Sequence, residues 1–411
     1  MNKQTRFLTT ALLCLLLAAC ASPATTPTPA IKAEPVSTSP ASEPVAPLVP
    51  EIFFARPDGA RGLAIAYDMT SGSELFALPP GMTSADSSLF FAAELIGDDN
   101  TNLNSFDLST GQELAGFKLE GQWALSGISP TGRWLALTRL VSDAERQAGN
   151  WQTEIQILDS QSGETVHLLN LDGNFEVETV SADGKSLFLV EHLPAVNPDH
   201  YLIRLYDLSN ETLVADPLRS KGADEVMAGY AWEGLASPNG KWLLTLYLST
   251  RRNAAFIHTL NLIDKYPVCI DLPANGGGFG QLKYYTLSLA PDGYKVYAAN
   301  AALGVVAEIN LNEFSVARIV HFVSDPTASP EVQTQVARSL LSPDGTRLYF
   351  TSGKDVWAYD TKAQTVSGLF VTDGQVSGLG LSRDGARLYV AQMDGSLIAF
   401  DAIGGVAVSL R

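Results

Sequence analysis

Ser342-Pro343-Asp344-Gly345-Thr346-Arg347-Leu348-Tyr349-Phe350 joins a four-residue turn signal to a run of strand-forming residues. Proline presets φ at the second turn position, aspartate accepts local backbone hydrogen bonds, and glycine takes a left-handed site at little steric cost. The same turn recurs as Ser129-Pro130-Thr131-Gly132, Ser181-Ala182-Asp183-Gly184, Ser237-Pro238-Asn239-Gly240, Ala290-Pro291-Asp292-Gly293 and Ser382-Arg383-Asp384-Gly385. A weaker copy without glycine reads Ser84-Ala85-Asp86-Ser87. Each copy precedes a β-type run, so each is read as a hairpin turn.

A second turn follows each of those strands after a gap. Its copies include Tyr67-Asp68-Met69-Thr70-Ser71-Gly72, Phe106-Asp107-Leu108-Ser109-Thr110-Gly111, Leu158-Asp159-Ser160-Gln161-Ser162-Gly163, Tyr206-Asp207-Leu208-Ser209-Asn210, Tyr359-Asp360-Thr361 and Phe400-Asp401-Ala402. Asp68, Asp107, Asp159 and Asp207 are separated by 39, 52 and 48 residues. A period of about 40–50 residues with four short strands per repeat predicts an all-β propeller. The alternation of these two turns resembles the YVTN/WD-like propeller repeats of bacterial envelope proteins and covers essentially all of residues 51–411. The Gly-His and Trp-Asp pairs of WD repeats are absent. The tryptophan that quinoprotein propellers place after the second turn and the Asp-box of sialidases are missing too. The resemblance therefore implies a fold and says almost nothing of activity.

With strands A to D numbered outward from the axis, the Ser-Pro-Asp-Gly turn joins A to B and the Asp-x-x-Thr-Gly turn joins C to D. Seven A–B turns but eight B-C-D sets are present, so the ring is expected to hold seven or eight blades, with eight preferred. The extra set is N-terminal and has no evident A strand. A–B and C–D turns share one face of a propeller; B–C and D–A connections share the other. The long insertions, 142–152, 193–201 and 249–256 between B and C, and 274–285 and 324–335 between D and A, all fall on that second face. Long loops on a rigid scaffold are where binding residues concentrate. The expected binding face therefore carries Trp151, Tyr201, Arg251, Arg252, Phe279 and Tyr284, residue types that dominate binding energy. The stretch Gly276-Gly277-Gly278-Phe279-Gly280 lacks the Lys-Ser/Thr of a phosphate loop, and no helix is expected after it.

Composition narrows the function. The 411 residues are 46% hydrophobic and carry a net charge of −17, which excludes global disorder and argues against nucleic acid as a partner. The five histidines are scattered, and no His-x-x-x-His, Gly-x-Ser-x-Gly or Cys-x-x-Cys motif occurs. No cofactor, metal or catalytic residue is assigned. The expectation is a monomeric binding propeller for a protein, peptide or glycan. The alternatives are an envelope enzyme of lactonase-like or quinoprotein-like kind, whose acids and arginines would converge in the channel, and an assembly factor working through its rim.

Residues 1–20 read MNKQTRFLTTALLCLLLAAC. Lys3 and Arg6 form a basic start, residues 7–19 an apolar stretch too short to span a bilayer, and Leu17-Ala18-Ala19-Cys20 closes it. This resembles the bacterial lipobox, which implies removal of residues 1–19 as a signal peptide and lipidation of Cys20. The mature chain would then carry −19 and sit in the cell envelope, held to a membrane by its N-terminal lipid. Residues 20–50 contain eight Pro and eight Ser or Thr, and no aromatic residue, so they read as an extended linker. With Cys14 removed and Cys20 lipidated, Cys269 remains alone and is expected in a buried strand position. Replacing Cys20 with Ser is expected to leave the protein unprocessed or release it from the membrane fraction. Signal cleavage with unchanged acylation and membrane retention would overturn the lipobox reading.

Overall fold

The structure, a computed structural model, describes residues 51–56, 62–142, 145, 151–219, 227–323 and 338–410. The expected signal peptide, Cys20, the linker and the insertion at 324–335 lie outside the described residues, as does most of 142–152. Eight antiparallel sheets follow one another along the chain. Blade 1 has three strands, Ile52–Ala55, Ala64–Asp68 and Glu74–Leu78. The other seven have four strands each. Blade 2 runs from Met82–Thr83 to Glu113–Glu120, blade 3 from Trp123–Ile128 to Thr165–Asp172, and blade 4 from Asn174–Val180 to Thr212–Leu213. Blade 5 runs from Tyr230–Ala236 to Tyr266–Asp271, blade 6 from Thr286–Leu289 to Ser315–His321, blade 7 from Arg338–Leu341 to Thr365–Phe370, and blade 8 from Val376–Leu381 to Ala407–Val408. The ring is thus an eight-bladed β-propeller, and its first blade lacks an A strand.

The repeated turns do the work their residues imply. Ser342 Oγ donates to Asp344 Oδ1 at 2.6 Å and accepts the Arg347 N–H at 2.9 Å. Asp183 and Asp384 accept from Ser181 and Ser382 in the same way at 2.6 Å. The hydrogen bond from Ser342, followed by those from Thr346, holds the Asp344 carboxyl down at about 2, so the turn itself accounts for this acid. At the C–D turns, Asp107 accepts the Ser109 and Thr110 N–H groups at 2.8 and 3.0 Å. Where the aspartate is replaced, Asn261 accepts the Ile263 and Asp264 N–H groups at 3.0 and 2.8 Å, and Asn310 accepts the Asn312 N–H at 2.9 Å.

The core lies between blades. Phe53, Ala55, Tyr67 and Met69 from the first blade pack with Tyr389, Ala391 and Ala399 from the last. This seam closes the ring without a strand shared between the termini. At the seam Gly380 leaves room for the Phe53 ring: a Cβ there would lie 2.5 Å from it.

Gly345 has φ +69°, and a Cβ would meet only Pro291 at 3.5 Å, an ordinary contact. The requirement there is conformational rather than steric. Gly345→Val is expected to destabilise by roughly 1–3 kcal/mol in denaturant unfolding, and Gly345→Asn by distinctly less, because Asn tolerates the left-handed region. Equal effects of the two would show that the φ argument is wrong.

Candidate functional site

The A strands of successive blades surround a central channel. A cavity of 540 Å³ within it is lined by residues of the A strands of blades 2 to 5, by Leu243 and Thr245 of the second strand of blade 5, and by Arg56. Arg56 follows the first strand of blade 1, the side on which no A strand exists. Its guanidinium donates to Gly81 O at 2.9 Å and lies over the Phe90 ring.

Two A strands carry charge into this channel. In blade 4 the register skips from Val177 opposite Leu189 to Thr179 opposite Phe188, so Glu178 occupies a bulge. In blade 5 the skip falls between Ala231 and Glu233, which leaves Trp232 in the bulge. Bulges re-aim side chains, and here they bring Glu178, Trp232 and Glu233 to the cavity wall. Glu178 accepts from Tyr247 Oη at 2.9 Å and Thr245 Oγ1 at 3.4 Å. Glu233 accepts from Thr286 Oγ1 at 3.3 Å. Protein surrounds both carboxylates, although each keeps some surface toward the channel. Burial pushes Glu178 up to about 7, with the Glu176 charge adding to the rise. Burial pushes Glu233 up to about 7 against the pull of Arg338. Arg338 donates from Nε to Ser377 O at 3.2 Å. Past Ala236 the channel continues to the A–B face, where Pro238, Pro291 and Pro343 line a cavity of 590 Å³.

On the opposite face a cavity of 500 Å³ lies between blades 4 and 5. Pro198, Asp199, His200 and Tyr201 line it from one B–C connection, Thr250 and Arg251 from the next, and Tyr230 from the start of an A strand. Glu176 and Ala231 line both this cavity and the channel, so the two meet. His192 Nε2 lies 3.1 Å from Glu176 Oε2, and His200 Nδ1 lies 2.5 Å from Asp199 Oδ1. Tyr201 is buried and stacks on Tyr247 with ring centroids 5.0 Å apart. Its hydroxyl has no hydrogen-bond partner among the described residues.

The described insertions gather on one face, as strand alternation requires. Asn253 donates to Gly277 O at 3.2 Å, which ties the insertion at 249–256 to that at 274–285. Tyr201 and Arg251 meet at the cavity, and Phe279 backs it, edge-on to Tyr230 with centroids 6.3 Å apart. Arg252 instead donates to the Asp271 carboxylate at 3.3 Å. Trp151 is not among the cavity residues; it is half-buried just before the third strand of blade 3. Tyr284 corrects the expectation outright. It is fully buried against Ala302, so its ring is not offered on the face. Phe279–Leu282 forms a single helical turn, α1, where no helix was expected. Cys269 is exposed on the outer strand of blade 5 rather than buried, its Sγ 3.6 Å from Nδ1 of the buried His258.

Sequence reasoning missed Glu178, Trp232, Glu233, Arg56 and Arg338. The signal lay in the A strands themselves. Blade 6 reads Thr-Leu-Ser-Leu and blade 8 Val-Ser-Gly-Leu-Gly-Leu, whereas blade 4 reads Asn-Phe-Glu-Val-Glu-Thr-Val and blade 5 Tyr-Ala-Trp-Glu-Gly-Leu-Ala. Acids and an exposed indole on an innermost strand break the pattern of small and apolar residues that blades 6 and 8 keep.

No protein-family model matches this chain, and no curated protein is similar to it in sequence. Solved propellers are similar in fold. The dihydro-heme d1 dehydrogenase NirN superposes with TM-score 0.56 at 15% identity, over 90% of this chain and 74% of that one. AztD of Citrobacter koseri gives 0.54 at 13% identity, over 87% and 93%. The Dos1 propeller gives 0.51 at 11%, over 86% and 90%. At these identities the likeness extends to the fold alone.

A carboxyl with a higher pKa in the native than in the unfolded chain contributes stability that is complete below the unfolded value and lost as pH rises through the folded one. For Glu178 and Glu233 that window runs from the ordinary carboxyl value of 4.5 up to about 7. Glu178→Gln and Glu233→Gln should therefore gain stability relative to wild type as pH rises through that window, with the gain levelling off above it. Melting curves of variant and wild type that stay parallel from pH 4.5 to 8 would count against charged, crowded carboxylates in the channel.

Proposed function

We propose that the protein is a lipid-anchored binding propeller of the cell envelope whose protein, peptide or glycan ligand enters between blades 4 and 5. The observation that carries this reading is the cavity on the loop face. It combines a buried, unpartnered Tyr201 hydroxyl with Tyr230 and Arg251 at its lining, and it opens into the charged channel. Such a mixture of aromatic faces, one cation and convergent polar groups in a concave site is what ligand pockets present. Lipid anchoring rests on the Leu17-Ala18-Ala19-Cys20 motif. Among the described residues, no helix is long and apolar enough to cross a membrane.

A second reading, an envelope enzyme on the same scaffold, is favoured by one feature: two channel carboxyls are held near 7, the range in which a general acid or base works at neutral pH. The two readings separate on turnover. The full-length protein, solubilised in detergent, is screened for retention of envelope peptides and glycans, and each retained ligand is followed for chemical change. The expectation is binding without conversion. Arg251→Ala should weaken binding by about tenfold, the usual scale for an interface arginine. Arg252→Ala should change it little, because that guanidinium faces Asp271. Conversion of a retained ligand that Glu178→Gln abolishes would establish the enzyme reading instead.

A further inference from the structure

We propose that the mouth and the channel beneath it form one path for an extended glycan of uncharged sugars, whose pyranose rings stack on Tyr230 and Trp232. The inference rests on the binding reading above and names the class of ligand.

Exposed aromatic rings are scarce in this molecule. Among the described residues three are exposed: Tyr230 at 51%, Trp232 at 44% and Tyr294 at 43%. Tyr294 follows the A–B turn of blade 6, where its ring faces the Lys241 ammonium at 5.8 Å. The other two stand two residues apart on the innermost strand of blade 5, Tyr230–Ala236. Blades 6 and 8 keep small and apolar residues at that position. Two large rings left wet on one inner strand forgo the burial that aromatic side chains ordinarily provide, and a ligand that covers them restores it.

The two rings open on connected space. Tyr230 lines the 500 Å³ cavity at the mouth, Trp232 lines the 540 Å³ cavity in the channel, and Ala231 between them lines both. The register skip between Ala231 and Glu233 places Trp232 in a bulge, which re-aims the strand at this point. Two residues of strand advance by about 6 Å, so a ligand that covers both rings is extended along the path rather than compact. Tyr230 is fixed beforehand. Its hydroxyl donates to Thr250 Oγ1 at 3.2 Å, and its ring meets Phe279 edge-on with centroids 6.3 Å apart. A ring already held in place costs little further entropy when a ligand stacks on it.

The groups around the rings select a sugar. An apolar side chain needs a predominantly apolar pocket, whereas Asp199, His200 and Arg251 share the cavity of Tyr230, and Arg56, Thr179 and Glu233 share that of Trp232. Each cavity carries both signs of charge, Arg251 with Asp199 and Arg56 with Glu233, so each repels part of any strongly charged ligand. An uncharged pyranose meets both conditions. Its C–H face suits the negative face of an aromatic ring, and the hydroxyls on its rim each donate and accept. The mouth wall adds the Tyr201 hydroxyl, which has no hydrogen-bond partner among the described residues.

The test is calorimetry on the full-length protein in a sugar-free detergent, with cellotetraose, maltotetraose and chitotetraose as probes. Their single sugars, an anionic tetragalacturonate and the peptide Gly-Trp-Gly serve as controls. The expected result is saturable binding of at least one neutral tetrasaccharide, at least about tenfold tighter than its single sugar because the longer chain covers both rings. Raising the salt well beyond the screening range should leave that affinity unchanged. Tyr230→Ala and Trp232→Ala should each weaken it by about tenfold, and Trp232→Phe by distinctly less, since a ring remains. Both side chains are half exposed, and melting temperatures of the alanine variants, read beside the titrations, establish that lost binding is not lost fold. Failure of all three tetrasaccharides to bind overturns the proposal. So does tetrasaccharide binding that both alanine variants leave unchanged, or a preference for tetragalacturonate that salt abolishes. Retention of a peptide that Arg251→Ala weakens, with no tetrasaccharide bound, would preserve the binding reading and overturn this one.

Discussion

The serine hydroxyl that opens six of the seven A–B turns, with Ala290 in its place in blade 6, governs the rest of the molecule. Ser342 Oγ donates to the turn aspartate and accepts the first N–H of strand B, so it closes the hairpin from both sides. A turn secured this tightly has no room for an insertion. The C–D turn is secured in the same way by Asp or Asn accepting two N–H groups. Both tight ends lie on one face of the ring, and every variable length must therefore emerge on the other. The mouth between blades 4 and 5 is a consequence of that restriction, because its lining is built where the turns do not bind the chain.

The same restriction explains how much could be read from the sequence. The turns are local: four to six residues suffice to specify them, and each copy repeats the same chemistry. Strand order and the face of the described insertions followed from them, and of the seven or eight blades they allowed the structure has eight, the first without an A strand. Tyr201 and Arg251 were legible as members of the loop face because their connections were legible. Tyr284 was not, because its burial depends on packing against Ala302 in the turn after the second strand of blade 6. The exposure of Cys269 escaped for a related reason: an outer strand alternates between core and solvent, and the register that assigns each residue to a side is set by the bulges and turns around it.

The channel residues were hidden by a different circumstance. Glu178 and Trp232 reach the axis through bulges, and a bulge shifts the two-residue alternation by one position without leaving a mark in the hydrophobic pattern. Glu233 and Arg338 come from blades 5 and 7, over a hundred positions apart in the chain, and feel each other's charge only because the ring brings those blades round a common axis. No spacing rule within one repeat detects such a pair.

Comparison among the blades gives the channel acids their meaning. On the A strands of blades 6 and 7, the Ser339 hydroxyl meets those of Ser288 and Thr286 at 2.8 and 3.1 Å. A hydroxyl or a small apolar residue is therefore a sufficient solution for an innermost strand, and four-stranded blades form with it. Blades 4 and 5 depart from that solution with carboxylates that burial resists ionising, and with an indole left 44% exposed. Both departures oppose stability in the empty ring, since a crowded anion and a wetted aromatic face are each less favourable than serine or leucine in the same place. They occur on adjacent blades, on the same cavity, directly below the mouth that the long loops form. Independent packing accidents would be scattered around eight blades; local violations of a repeated rule that converge on one cavity support the binding reading proposed above.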